Sequence, residues 1–143
     1  MTTPHTLLIV EDEILPAMSL KSGLEDAGYW VMDLTSRPEE AMVAALDRKP
    51  DLALVNIKLH GRNDGIALAV ELKTLGVPVL FISGQPSRAI AARSVAVGSL
   101  AKPYSVDDMV LAVAYLLARL DGDASQALPR DLEVFDEDLP EVA

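Results

Sequence analysis

The chain has 143 residues, half of them apolar, which is enough for one domain with a buried core. It contains no cysteine, which excludes disulfides and thiolate metal sites and favours a reducing compartment. The net charge is −10, but residues 1–120 hold 14 acidic and 11 basic residues (−3), so residues 121–143 carry −7. No basic face is indicated, and we expect no contact with nucleic acid.

The N-terminal residues and the apolar segments bear on localisation. The chain has no basic stretch ahead of its first apolar run, so we expect no signal peptide. Its longest apolar segment, residues 109–118, is far shorter than the roughly 20 residues that a membrane span requires. We therefore expect a cytoplasmic protein that does not bind membranes.

The first third of the chain alternates between strand and helix patterns. The continuous apolar run at residues 6–10 is typical of a strand covered on both faces, and the helical pattern after it ends at Gly28. A second strand is predicted at residues 29–33. The spacing of Ser36 and Glu39 then predicts a capping box at the start of the second helix.

The alternation continues through three more strands and three more helices. Asn56 lies at the end of the third strand, an apolar run that begins at Leu52. The later predicted elements are a helix from residue 64 or 65 to 75, a strand at 77–82, a helix at 87–97, a short strand at 99–101, and a helix that Ser105 caps and that reaches about residue 120. Strands alternating with helices predict a parallel sheet with helices on both faces.

Residues 121–143 break this alternation. Their glycine, prolines and acidic residues argue against packed structure. A solvated tail has little use for apolar residues, yet four are present, namely Leu132, Val134, Phe135 and Leu139. Two interpretations stay open, a flexible acidic tail and a docking segment, and we divide the chain into a domain at 5–120 and a tail at 121–143.

Polar residues follow four of the predicted strands, and they are Glu11, Asp12, Asn56, Ser83 and Lys102. Each would be ordinary alone, since acids are common at helix N-termini and serines in turns. The carboxyl ends of parallel strands meet at one edge of a sheet, so we expect these side chains to lie together. Paired carboxylates suit Mg²⁺, and a lysine with a hydroxyl suits an anion. The pattern predicts a site for a phosphoryl group and its metal.

The polar residues occur in four motifs: Leu8–Asp12, Leu54–Leu59, Phe81–Gly84 and Ala101–Tyr104. With these motifs the chain resembles the receiver domain of bacterial two-component response regulators over residues 5–120. The resemblance implies a stand-alone, CheY-like module with an α/β, doubly wound (flavodoxin-like) fold. Its five-stranded parallel sheet would have the strand order 2-1-3-4-5 and be flanked by five helices.

The resemblance also implies roles for individual residues. The ligands of Mg²⁺ would be Glu11, Asp12, Asn56 and the backbone carbonyl of Lys58. Position 56 would accept a phosphoryl group from a sensor histidine kinase or a histidine phosphotransfer protein, and Ser83 and Lys102 would contact that group. Pro103 would follow a cis peptide bond. A downstream protein would read the signal, and a rim formed by Ile14, Leu15, Pro103 and Tyr104 would contact partners.

Two residues depart from the family pattern. The family acceptor is an aspartate, and Asn56 has nearly its shape but neither its charge nor its nucleophilicity. We therefore expect no acyl phosphate on this chain. The family often has tyrosine or phenylalanine where this chain has Ser99, so the usual aromatic switch is not implied.

Three functional alternatives follow from these observations. The first is a signalling receiver whose native aspartate has been replaced by Asn56. The second is a native pseudo-receiver that binds partners without phosphorylation. A flavodoxin-like protein for a small ligand is disfavoured, because no phosphate-binding loop rich in glycine, serine or threonine follows the first strand. His5 and His60 have no partner spacing for a metal or a catalytic base.

Overall fold

A computed structural model describes residues 4–140 of the chain as one six-stranded sheet flanked by helices. Its elements are β1 (Thr6–Val10), α1 (Ile14–Asp26), β2 (Trp30–Thr35), α2 (Pro38–Asp47), β3 (Leu52–Asn56), α3 (Asp64–Thr74), β4 (Val79–Ser83), α4 (Pro86–Ala91), β5 (Gly98–Ala101), α5 (Val106–Leu120) and β6 (Leu132–Val134), with 3-10 turns at Arg93–Val95 and Asp136–Asp138. The described residues include no helix long and apolar enough to cross a membrane.

The sheet has the order β2-β1-β3-β4-β5-β6. Strands β1 to β5 are parallel to their neighbours, and β6 runs antiparallel to β5. The predicted doubly wound fold, with the order 2-1-3-4-5 and five helices, is therefore confirmed. The sixth strand was not predicted.

The central strands are buried because helices cover both faces of the sheet. Every residue of β1, β3 and β4 is buried, as their continuous apolar runs predict. Alternate side chains of β1 enter two separate clusters. Leu7 and Ile9 pack with α1 and α5, whereas Leu8 and Val10 pack with α2 and α3. A polar side chain can therefore reach solvent only from the ends of these strands.

The two predicted capping boxes have different outcomes. At the start of α5, Ser105 Oγ accepts from Asp108 N at 3.0 Å, and the Asp108 carboxylate accepts from Ser105 N at 3.3 Å. The capping box predicted from Ser36 is wrong. Helix α2 begins at Pro38 without a side-chain cap, because proline already fixes the first-turn conformation, and Ser36 Oγ instead donates to Glu40.

The helix after β4 is shorter than predicted. Helix α4 ends at Ala91, a 3-10 turn follows at Arg93–Val95, and Ala96 is extended, so the predicted helix at 87–97 is wrong in its second half. Ala89 is its one buried residue, so no large side chain anchors a further helical turn on the sheet.

The prediction of an unpacked, solvated tail is wrong for residues 132–139. Leu132, Phe135 and Leu139 are each 6–8 % exposed and pack against the sheet beside β5. The alternative interpretation, a docking segment, describes this stretch, but it docks on its own domain. Residues 121–128 are exposed, as expected for an acidic linker. Residues 1–3 and the end of the predicted tail, 141–143, lie outside the described residues.

Gly65 in the first turn of α3 allows the helix to approach the end of β3. A Cβ atom at this position would lie 2.7 Å from Ile57 Cα and 2.8 Å from Ile57 O. These are backbone atoms, so an added Cβ would force a shift of the chain at the end of β3. We therefore expect Gly65→Ala to lower the free energy of unfolding in urea by about 2–3 kcal/mol. Gly84→Ala is the matched control, because nothing lies within 4 Å of its added carbon. Equal losses in both variants would contradict this account.

Candidate functional site

The structure brings the predicted polar residues together at the carboxyl end of the sheet. One cavity of about 270 Å³ is lined by Asn56, Lys58, Ser83 and Lys102, together with Asn63 and Gln85. A second cavity of about 480 Å³ contains Glu11 and Lys102 in its lining. Asp12 joins the group through a hydrogen bond to Asn56. Lys102 thus lies between the two cavities.

Asn56 is 4 % exposed and uses its amide to hold Asp12. Its Nδ2 donates to Asp12 Oδ1 at 3.3 Å. The second oxygen of Asp12 accepts from the backbone N of His60 at 3.0 Å. Both oxygens of Asp12 therefore have a donor from the protein itself. A side chain without N–H groups at position 56 could not supply the first of these bonds.

His60 is the residue that the sequence interpretation missed. It adopts a left-handed conformation with φ of 51°, followed by Gly61 with φ of 77°, which turns its backbone N toward Asp12. Its ring Nε2 lies 2.9 Å from the carbonyl oxygen of Ser36, in the loop after β2. The residue pair His60-Gly61 could have signalled a turn, but no local pattern points to Asp12.

Glu11 is buried, and one of its oxygens lacks a partner. Its Oε1 accepts from Glu13 N at 3.3 Å, whereas Oε2 is fully buried and has no hydrogen-bond partner in the described part of the chain. Burial raises the pKa of the Glu11 carboxyl, and the Lys102 ammonium partly offsets this rise. A buried acceptor beside a second carboxylate is what a hard cation would satisfy.

The donor set at this edge fits Mg²⁺ with a reduced charge. Within residues 4–140 no group of three histidine, cysteine or acidic residues could hold a metal ion. The charged oxygens that could hold the ion are those of Glu11 and Asp12, and the neutral ones would be the Asn56 amide oxygen and the Lys58 carbonyl. These are oxygen ligands of the kind that Mg²⁺ prefers, although the residue at position 56 adds no charge.

Ser83 and Lys102 complete the site from β4 and β5. The Ser83 hydroxyl is 2.9 Å from both the backbone N and the carbonyl oxygen of Gln85, so the turn after β4 occupies it. Lys102 N donates to Ser83 O at 2.8 Å, which joins the two loops, and its exposed side chain faces both cavities. The peptide bond from Lys102 to Pro103 is cis, as the resemblance implies.

The four residues of the predicted rim have different surroundings. Pro103 and Tyr104 line the larger cavity. Ile14 and Leu15, at the start of α1, are 65 % and 74 % exposed. Burial raises the pKa of Tyr104 to about 12, with smaller contributions from Glu11 and Glu13.

Fold and site together define a flavodoxin-like α/β protein with acidic residues and a lysine at the carboxyl end of its sheet. The family model of the response regulator receiver domain matches residues 7–114. The chain therefore belongs to the response regulator receiver family. The receiver domains of two-component response regulators are signalling modules, and an acidic pocket that binds Mg²⁺ is typical of them.

Similar proteins support this assignment. The chain is 31% identical over 120 residues to the transcriptional regulatory protein PdtaR of Mycobacterium tuberculosis, covering 81% of this chain and 58% of that protein. It is 31% identical over 123 residues to the aerobic respiration control protein ArcA of Escherichia coli, covering 83% and 50%. The chain thus spans about half the length of these curated relatives.

Solved structures give the same result. A putative response regulator from Chloroflexus aurantiacus J-10-fl is 33% identical with a TM-score of 0.73, and the match covers 82% of this chain and all of that one. The receiver domain of NtrX from Brucella abortus is 30% identical with a TM-score of 0.72, covering 78% and 97%.

The raised pKa of Glu11 makes stability depend on pH. Because its folded-state pKa exceeds the unfolded value of 4.5, the stability that this group contributes is complete below that pH and is lost as pH rises through the folded-state pKa. We expect Glu11→Gln to gain about 1 kcal/mol or more over the parent chain at pH 7 and little at pH 4, in urea unfolding with a chelator present.

The exposed Glu71 on α3 provides the control for this measurement, because it does not contribute to the pKa of Glu11. Glu71→Gln should show the same small difference from the parent chain at both pH values. A Glu11→Gln advantage that is as large at pH 4 as at pH 7 would show that burial of the Glu11 charge is not its cause.

Proposed function

We propose that this chain is a receiver module of phosphorelay signalling that acts through protein contacts and does not carry a phosphoryl group on residue 56. The observation that carries the proposal is the hydrogen bond from Asn56 Nδ2 to Asp12 Oδ1. An amide that donates to the acidic pair has no anionic oxygen with which to attack phosphorus. We place this activity in the cytoplasm, in line with the sequence prediction.

The surrounding residues retain what a phosphoryl transfer to an aspartate needs. In that reaction a carboxylate oxygen at position 56 forms the new P–O bond while the P–N bond of the donor's phosphohistidine breaks. Lys102 would neutralise charge on the phosphoryl oxygens, and the Ser83 hydroxyl would leave Gln85 to donate to one of them. What the site lacks is the nucleophilic carboxylate oxygen at position 56, where the chain has Asn56.

We infer that the acidic pair of this site binds Mg²⁺. Glu11 and Asp12 would hold it with the Asn56 amide oxygen and the Lys58 carbonyl, and Glu11 Oε2 would gain the partner it lacks. When bound, the ion would neutralise charge on an adjacent phosphoryl group. For its amide oxygen to reach the ion, Asn56 would have to give up or reorient its bond to Asp12.

A second candidate function, phosphorylation-independent binding by a pseudo-receiver, is favoured by a separate observation. Asp12 already accepts hydrogen bonds from Asn56 and from His60, one on each oxygen. The acidic pair therefore needs neither metal nor phosphate to keep Asp12 in place. The two candidates differ in whether the rest of the site still works once an acid stands at position 56.

The Asn56→Asp variant tests this difference. We expect the variant, incubated with acetyl phosphate and Mg²⁺, to gain the mass of one hydroxylamine-labile phosphoryl group by intact mass spectrometry. The parent chain should gain none, because it has no nucleophile at this position. Labelling of the variant should fall at least tenfold when Mg²⁺ is omitted.

Asn56→Asp combined with Lys102→Ala is the matched control, and it should label at least tenfold more slowly. If the single variant stays unmodified although it is folded, the site has lost more than its acceptor and the pseudo-receiver function is preferred. Phosphorylation of the parent chain itself would refute the proposal.

The exposed side chains at the start of α1 provide a separate test of the partner surface. Leu15→Asp, introduced into the Asn56→Asp background, should slow phosphorylation by a phosphorylated histidine phosphotransfer protein about tenfold, equivalent to 1.4 kcal/mol, because an apolar contact is lost. Phosphorylation by acetyl phosphate should be unchanged.

Val43 on α2 supplies the control, since it is apolar and 69 % exposed but lies on a different helix. Val43→Asp should leave both rates unchanged. If Leu15→Asp slowed both donors equally, or neither, the start of α1 would not be the docking surface.

A further inference from the structure

The C-terminal segment 132–139 closes the edge of the sheet at β5. Its strand β6 pairs antiparallel with β5, in the register Gly98↔Val134, Ser99↔Glu133 and Leu100↔Leu132. One further backbone bond runs from Phe135 N to Val97 O at 2.9 Å. The segment thus supplies partners for backbone groups that would otherwise form an open strand edge.

The segment is held by apolar anchors on both faces and by ion pairs. Leu132 and Leu139 join the cluster beneath α1 and α5, whereas Phe135 joins the cluster on the opposite face. Two pairs then bind its acidic residues, Arg119–Asp136 at 3.0 Å and Arg93–Glu137 at 3.7 Å. This edge therefore recognises a defined chemistry, an extended strand with apolar anchors followed by acids.

Strand β5 is itself adapted to a strand on its edge. A Cβ atom on Gly98 would lie 2.8 Å from Glu133 O, so a glycine is needed where β6 passes. Ser99, the position where the family often has an aromatic residue, is 4 % exposed and lies opposite Glu133. Gly98 thus leaves room for a neighbouring backbone.

The occupying segment is short and separable from the rest of the domain. Strand β6 pairs with three of the four residues of β5 and leaves Ala101 unpaired on that edge. Residues 121–128, which connect α5 to it, are exposed and form no strand or helix. The segment could leave the edge without breaking contacts made by this linker.

We propose that the β5 edge is a recognition site for an extended segment of a different protein, which adds antiparallel to β5 in place of β6. Such a segment would carry apolar anchors spaced like Leu132, Phe135 and Leu139 and acids that face Arg119 and Arg93. By also pairing with Ala101, it would form a longer ladder than β6 does. The proposal does not depend on the chemistry of residue 56.

A second copy of this chain is not the occupant that we infer. Its segment would be identical, whereas the tethered segment acts at an effective concentration of about 1 mM, so an equal competitor at micromolar concentration cannot displace it. The net charge of −10 also opposes association between two copies.

The test uses the full chain with its own segment disabled by Leu132→Asp and Phe135→Asp, the opened variant. The probe is a fluorescent synthetic peptide of residues 129–140. We expect the opened variant to bind it saturably in fluorescence anisotropy, at least tenfold more tightly than the parent chain does. A peptide with the same two substitutions should not bind.

Cross-linking tests the site and register, because the chain has no cysteine of its own. The opened variant with Ser99→Cys should form a disulfide with the peptide carrying Glu133→Cys, since directly opposed residues of antiparallel strands lie within disulfide reach. The peptide carrying Asp131→Cys should react at least tenfold less, as should the opened variant with Ser125→Cys in the exposed linker.

Several results would overturn the proposal. One is an opened variant that keeps its helical circular dichroism and its thermal transition but binds no peptide. Another is cross-linking that is equal for both peptide positions, which would place the peptide elsewhere. A third is a parent chain that forms concentration-dependent dimers in light scattering. If copies carrying Ser99→Cys then formed disulfides with copies carrying Glu133→Cys, the occupant would be a second copy of this chain.

Discussion

The hydrogen bond between Asn56 and Asp12 is the interaction on which the site depends. An aspartate at position 56 would bring two carboxylates together, and like charges about 4 Å apart repel by about 4 kcal/mol at an effective dielectric constant of 20. Such a site needs a cation. The amide replaces that repulsion with a donor, and His60 N satisfies the other oxygen of Asp12. Hydrogen bonds from the protein thus satisfy both oxygens of Asp12 without a metal.

These hydrogen bonds do not satisfy the neighbouring carboxylate of Glu11. Neither Asn56 nor His60 donates to Glu11, and its Oε2 is buried without a partner in the described part of the chain. The positive charge of Lys102 lowers the pKa of Glu11 and so offsets part of the rise that burial causes. Retaining a buried, poorly satisfied carboxylate lowers stability, which supports the proposed role of Glu11 as a ligand of Mg²⁺ over a role in packing.

Prediction from sequence succeeded where a local pattern carries the information. Buried parallel strands give continuous apolar runs, and their topology then brings Glu11, Asn56 and Lys102 to one edge. It failed where contacts are remote or elements are short. The contact between His60 and Asp12 spans 48 residues, and β6 has three residues within an acidic stretch whose composition favours disorder. No periodicity can be read from three residues, and only the sheet edge beside them makes them a strand.

Strand β5 lies between the candidate site and the sheet edge that β6 covers. Lys102, which faces the site, directly follows its last residue, and Ser99, which replaces the usual aromatic residue, lies opposite β6. A strand added at this edge would contact backbone up to Ala101, next to Lys102. Because Lys102 N is also hydrogen-bonded to Ser83 O, a shift of β5 would move both residues that are proposed to contact a phosphoryl group. A receiver with Asn56 could thus couple partner binding to its site without an acyl phosphate.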